Sequence, residues 1–230
     1  MTMQVLAMHG WAGDSRGWEA FAHAARQQGW SWQAADRGYG PAPALAPAWR
    51  ATTPEGERVL IAHSLGPHLL PEAVLEQAEA LVLLASFGRF VPAGAAGRAL
   101  RTALGGMAQA LAGAEAEAIL RTFLARAAAP QPLDQLPSTV VDQPLSASGR
   151  ERLQGDLALL QATAALPEAL PARCPCLIVE AGDDRIVVPE ARALLRRERP
   201  DATVLHYPQA GHCLLGTPVV RDVMTWIGQL

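Results

Sequence analysis

Lysine and asparagine are absent from all 230 residues, so every basic side chain apart from histidine is an arginine. We read this mainly as the bias of a GC-rich genome. It also excludes a G-x-x-x-x-G-K-[ST] phosphate loop, which needs its lysine. No G-x-G-x-x-G opens a helix and no H-E-x-x-H pair occurs, so neither a dinucleotide fingerprint nor a zinc-protease helix is present. Cysteine is scarce, with Cys174, Cys176 and Cys213 only, and their spacing fits no metal signature. No metal or cofactor is called for, and reduced, buried thiols are the expectation. Cys213 adjoins a histidine, which leaves a small opening for redox sensitivity. No apolar run approaches the roughly 20 residues needed to cross a bilayer. The opening "MTMQVLAMHG" lacks the basic start and small-residue cleavage site of a secretory signal, so a cytoplasmic protein is expected. With a net charge of −3 and a pI near 6.1, nothing marks a nucleic-acid binder.

What is present is apolar text. Hydrophobic residues make up 50% and charged residues 18%, which suits one compact domain with a substantial core. Six short aliphatic runs read as strands: 5–8, 31–36, 58–63, 80–86, 176–182 and 203–208. Helical patterns lie between or after them, in "SRGWEAFAHAARQQG", "LGPHLLPEAVLEQ", "PEARALLRRE" and "PVVRDVMTWIGQL", with Asp14 or Ser15 as the first N-cap. Such alternation predicts a mainly parallel sheet with helices on both faces. Residues 89–168 differ, being Ala-, Leu- and Arg-rich helical text without a strand. We therefore expect a core of 1–88 and 169–230, with 89–168 as a helical lid over the crevice at the strands' C-terminal ends.

Four glycine-containing turns follow strand candidates. "AHSLG" (62–66) departs from the nucleophile elbow G-x-S-x-G only in Ala62. "HGWAG" (9–13) stands where an oxyanion loop should lie, its glycines freeing backbone N–H groups to point at a developing charge. "DRGYG" (36–40) follows the second strand. "GDDRIVVP" (182–189) and "AGHC" (210–213) follow the fifth and sixth. Taken in order, these motifs resemble the α/β-hydrolase superfamily over nearly the whole chain outside the lid, and imply the α/β-hydrolase fold.

The resemblance implies a triad. Ser64 would attack an acyl carbonyl, His212 would carry the proton, and a carboxylate would orient the imidazole. Asp184 suits that place because "DRIV" matches the family's text after the acid; Asp183 stays open, since the turn is one residue short. Backbone N–H groups of Trp11 and Leu65 would form the oxyanion hole. The other histidines have quieter readings: His9 structural in its loop, His63 pointing to the other side of the strand end, His68 packing the following helix, His23 on a helix surface and His206 in a strand. Asp142 and Asp156, in the lid, are improbable rival acids.

Within the superfamily, "HGWAGDSRGW" resembles the methyl esterases acting on pimeloyl-[acyl-carrier protein] methyl ester in biotin synthesis. That resemblance implies a substrate site of Trp11, the Ser64–Leu65 pair and the lid's "FLA" (Phe123, Leu124 and Ala125). It also implies docking of the acidic carrier protein on lid arginines, for which Arg98, Arg101, Arg121 and Arg126 are available. Amphipathic packing and a solvated helix face are the plainer readings of these two features. The chain departs from that family in Ala62 and in opening directly on its first strand. A broad carboxylesterase or thioesterase, and a scaffold that only binds its ligand, are the competing expectations.

Overall fold

The computed structural model describes residues 3–40, 43–50 and 56–230, so Met1 and Thr2 of the opening segment lie outside the described residues. The strands are β1 (Met3–Met8), β2 (Ser31–Ala35), β3 (Glu57–His63), β4 (Ala80–Leu84), β5 (Cys176–Ala181) and β6 (Thr203–Tyr207). They form one open sheet in the order β2-β1-β3-β4-β5-β6, with every neighbouring pair parallel. All six coincide with the apolar runs of the sequence.

The four central strands are aliphatic nearly throughout because both of their faces are covered, the usual condition of parallel sheets. Successive side chains point to opposite faces. Val5, Ala7, Val59, Ile61 and Val82 therefore pack against α1 (Glu19–Gln27) and α7 (Val219–Ile227), through Phe21, Ala25, Val223 and Ile227. Leu6, Met8, Leu60, Leu81 and Leu83 belong to the opposite core, with Leu75 of α2 (Glu72–Leu75) and Leu195 of α6 (Pro189–Glu198). Full burial of each such side chain contributes about 1.5–3 kcal/mol.

The expected helix after Ser64 is broken. A 3-10 turn spans Gly66–Leu69, Leu70 is extended, and α2 has only four residues. Pro67 and Pro71 explain this, since proline lacks the N–H that a continuous helix needs and pushes its predecessor toward extended backbone. At the first helix Asp14 is the N-cap, accepting from the Arg16 N–H at 2.8 Å.

Between β4 and β5 lie α3 (Arg98–Ala112), α4 (Ala116–Ala128) and α5 (Ala147–Ala162). Helix α5 is fastened to the body by buried polar groups. Trp11 Nε1 donates to the Leu153 carbonyl at 2.8 Å. Asp156 accepts from Arg37 Nε and Nη2 at 2.8 and 2.7 Å and from the Tyr39 hydroxyl at 2.5 Å. Arg152 donates to the Gly38 carbonyl at 2.9 Å. The "DRGYG" loop thus serves as the landing for α5. Among the described residues no helix is long and apolar enough to cross a membrane.

Candidate functional site

Ser64 follows the last residue of β3 with φ at +55°, a left-handed conformation uncommon outside glycine. Its neighbours enforce it. The Ser64 N–H donates to the Leu84 carbonyl at 2.9 Å, and the Ser64 carbonyl accepts from the Ser86 hydroxyl at 2.7 Å. The turn also demands small residues where the chain crosses itself. A Cβ on Gly10 would stand 2.7 Å from Ser64 Cβ, and one on Gly66 would stand 2.6 Å from the Met8 carbonyl oxygen. Ala62 is fully buried in β3, so the methyl that replaces the motif's first glycine is accommodated within the core.

Asp184 and His212 come together at the same edge of the sheet. His212 Nδ1 lies 2.9 Å from Asp184 Oδ2, and both side chains are almost completely enclosed. The other carboxylate oxygen accepts from the N–H groups of Ile186 and Val187 at 2.7 and 2.9 Å. Burial works to raise the Asp184 carboxyl. The His212 charge, its hydrogen bond and the two backbone donors outweigh burial and hold the group below the usual carboxylate range. Asp183 is exposed and its N–H is bound to the Ala210 carbonyl. It takes no part in this arrangement. Asp156 is engaged with Arg37 and Tyr39, and Asp142 with Thr139.

The histidines divide differently from the sequence reading at one position. His63 does not point away from the site: its Nε2 donates to the His212 carbonyl at 3.0 Å, and the two rings stand 4.8 Å apart. A residue at the very end of a strand follows the turn rather than the strict alternation of the pleat, which is why periodicity misplaces it. His9 is structural, accepting from the Arg37 N–H at 3.2 Å through Nε2 and donating from Nδ1 to the Gly10 carbonyl at 2.8 Å. His68 stacks on Phe87 and bonds its carbonyl at 3.0 Å. Burial pushes the Cys213 thiol up to about 12, so it is a poor nucleophile despite its neighbour.

A cavity of about 200 Å³ reaches His212 and His63. Gly10, Trp11 and Gly13 line one side, and Phe123, Leu124 and Ala127 of α4 line the other. Trp11 and Phe123 meet edge to face at 4.8 Å. Three expected contacts are missing from the wall, and Ser64 is one of them, although its neighbours Gly10 and His63 line it. Ala125 is exposed on the opposite side of α4, and the Leu65 side chain is fully buried in the core, which leaves only its backbone for the site. Among the described residues no cluster of His, Cys, Asp and Glu side chains could hold a metal ion.

Residues 5–221 match the alpha/beta hydrolase family. The chain belongs to that family. Its six-stranded parallel sheet with helices on both faces is that of the α/β-hydrolase fold. An esterase from Exiguobacterium antarcticum is similar in structure, with a TM-score of 0.75 at 17% identity over 99% of this chain and 91% of that one. An esterase from Thermogutta terrifontis gives 0.70 at 18% identity over 99% and 90%. An enol-lactonase from Burkholderia xenovorans gives 0.72 at 14% over 100% and 91%. No curated protein matches in sequence. At these identities the structural likenesses speak for the fold.

The four lid arginines expected to dock a carrier protein are all exposed. Three of them also hold main-chain carbonyls. Arg101 bonds Pro92 and Gly94, Arg121 bonds Val141, and Arg126 bonds Arg185. That local work was invisible in the sequence.

Proposed function

We propose that this hydrolase is a serine carboxylesterase in which Ser64, His212 and Asp184 form the catalytic triad. The observation that carries the reading is the enclosed His212–Asp184 bond of 2.9 Å, together with a serine held at φ +55° directly after His63, whose ring stands 4.8 Å from that of His212. In this reaction His212 Nε2 takes the proton of Ser64 Oγ as that oxygen bonds to the acyl carbon. The carbonyl electrons move onto its oxygen, and their return breaks the bond to the alkoxy group, which leaves with the proton from His212. Water then attacks the acyl-enzyme by the same route and frees the acid. Asp184 stays ionised throughout and stabilises the imidazolium.

The oxyanion would be met by the backbone N–H groups of Trp11 and Leu65. Neither donates in a backbone hydrogen bond among the described residues. One such donor contributes about 3 kcal/mol to the transition state. Trp11 and Phe123, in contact with each other, would form one apolar wall against the acyl chain.

For the physiological substrate we propose the methyl ester of pimeloyl-[acyl-carrier protein]. What supports it is the resemblance of "HGW", "SL" and "FLA" to that esterase family, together with Arg98, Arg101, Arg121 and Arg126 as a basic docking face. A guanidinium has five donors, so an arginine bonded to one carbonyl keeps others for a carboxylate. The cavity's small volume and mainly apolar lining favour a second reading, a broad carboxylesterase or thioesterase on short acyl substrates.

Fluorophosphonate labelling and steady-state kinetics test both. Ser64-dependent labelling and hydrolysis of p-nitrophenyl butyrate are expected. Absence of both would leave only a ligand-binding scaffold. Turnover of the carrier-bound methyl ester with a far higher kcat/KM, and Ser64-dependent growth of a biotin auxotroph lacking its methyl esterase, would support the biotin-pathway reading. Equal kcat/KM values would favour the broad esterase.

A further inference from the structure

His212 stands on a connection without regular secondary structure between β6 and α7, so its position is not set by a strand or a helix. Three contacts locate it. Asp184 holds the ring through Nδ1, and the following residue, Cys213, donates its N–H to the Ala127 carbonyl at 3.2 Å. The third is His63, whose Nε2 lies 3.0 Å from the carbonyl oxygen of His212 itself. A carbonyl oxygen only accepts, so this bond fixes the proton of His63 on Nε2. It runs from the residue that precedes Ser64 to the main chain that carries the base.

The chemistry of the site suits a neutral donor there. Burial, and then repulsion from His212, lower the His63 imidazole to about 3, so it stays uncharged in the working range. The ionisable groups that face it are His212, Asp184 and His9. A charged His63 would set a second cation beside the imidazolium that His212 becomes. Without the bond, only the Asp184 link and the Cys213 N–H would locate His212, a looser hold that lets Nε2 shift relative to Ser64. Displacements near 1 Å in a catalytic group can cost on the order of 10²-fold in rate.

We propose that His63 is a positioning residue for ester hydrolysis, its Nε2–H holding the main chain of His212 so that the base keeps its alignment with Ser64. The proposal rests on the assignment of Ser64 and His212 above.

Two substitutions separate the hydrogen bond from the ring. His63→Phe keeps a flat ring and removes the donor. His63→Gln loses the ring but carries an amide nitrogen the same number of bonds from Cα as Nε2. With p-nitrophenyl butyrate, His63→Phe is expected to lower kcat by roughly 10–100-fold with KM within about threefold. The acid limb of its kcat/KM profile should move to lower pH, because a misaligned imidazolium loses part of its carboxylate partner. Fluorophosphonate labelling of Ser64 should slow in parallel. His63→Gln should recover most of the lost rate. If His63→Phe does not fold, His63→Met supplies a slimmer side chain without a donor.

An unchanged kcat in a folded, donorless variant would overturn the proposal. So would a glutamine variant as impaired as phenylalanine, since the ring's packing would then be what matters. A change confined to KM would make His63 a substrate contact instead. Full activity of Ser64→Ala in the same assay would strike the proposed function itself, and so is distinguishable from failure of the His63 argument.

Discussion

Arg126 donates from Nε to the carbonyl oxygen of Arg185 at 2.8 Å, tying the last turn of α4 to the residue that follows Asp184. The contact is exposed, where a hydrogen bond contributes about 0.5–1.5 kcal/mol net. At most that whole amount would appear in the barrier, so Arg126→Met should reduce kcat on a small uncharged ester by no more than about tenfold. Glutamine places an amide nitrogen at the position of Nε without the charge, so Arg126→Gln should stay near wild type on that ester. A carrier-protein test that uses Arg126→Glu would mix the two roles. Arg98→Glu is the cleaner variant, and kcat/KM on the carrier-bound ester should fall more at low salt than at high.

Ser64→Ala should abolish fluorophosphonate labelling and reduce ester turnover by several orders of magnitude with the fold intact, as triad members act as a unit. Circular dichroism and an active-site titration check this. Retention of more than about a tenth of the rate would remove Ser64 from the mechanism.

Asp184→Asn should cost near 10⁴-fold in kcat, through a misoriented imidazole without its carboxylate. Asp183→Asn should be close to neutral, since that side chain is exposed and apart from His212. Reversed phenotypes in the same assay would assign the acid to Asp183.

The Asp183–Asp184 choice shows what the sequence could and could not decide. The four central strands were legible because parallel strands covered on both faces are continuous apolar runs, whereas the edge strands β2 and β6 were legible only from their place in the strand–helix alternation. The turns that carry Ser64 and His212 were legible from motifs at strand ends. Their order across the sheet was not, because pairing depends on contacts far apart in the chain. Asp156 gave no hint of its role either, as its partners Arg37 and Tyr39 lie 119 and 117 residues away. The helix after Ser64 was misread for a local reason, two prolines that outweigh an amphipathic pattern.

Asp156→Ala would leave the Arg37 guanidinium and the buried Tyr39 hydroxyl without their acceptor. A loss of about 2–3 kcal/mol is expected, or roughly 5–10 °C in Tm for a chain of this size. Tyr39→Phe removes only one of the three bonds and should cost about 1 kcal/mol. Thermal melts followed by circular dichroism distinguish the two.

His63 should also shape the acid stability of the fold. Its imidazole titrates at about 3 in the folded chain against 6.5 in the unfolded one, so between these values the unfolded chain holds the extra proton. Its contribution to stability is complete above pH 6.5 and is lost as pH falls toward 3, with a limiting slope of about 1.4 kcal/mol per unit. His212, Asp184 and His9 are the ionisable groups that face it. The comparison is therefore between variants: urea midpoints from pH 7 to pH 4 should fall more steeply for the wild type than for His63→Gln. Parallel curves would mean that His63 is protonated in the fold.

The cover over the cavity is fastened with two grades of hardware. Helix α5 hangs on buried groups, Trp11 on Leu153 and Asp156 on Arg37 and Tyr39. Residues 136–138, which also line the cavity, hang on the rim. The Ser138 hydroxyl bonds Asp14 at 3.0 Å, and Arg16, 44% exposed, reaches the Thr139 carbonyl at 3.1 Å and Asp142 at 3.5 Å. Water and salt compete for contacts of the second kind and scarcely for the first. Residues 136–138 are therefore the part of the cavity lining held most loosely against salt and water. Raising ionic strength should loosen the Arg16 contacts of residues 136–139 while helix α5 keeps its hold on Trp11, Arg37 and Tyr39.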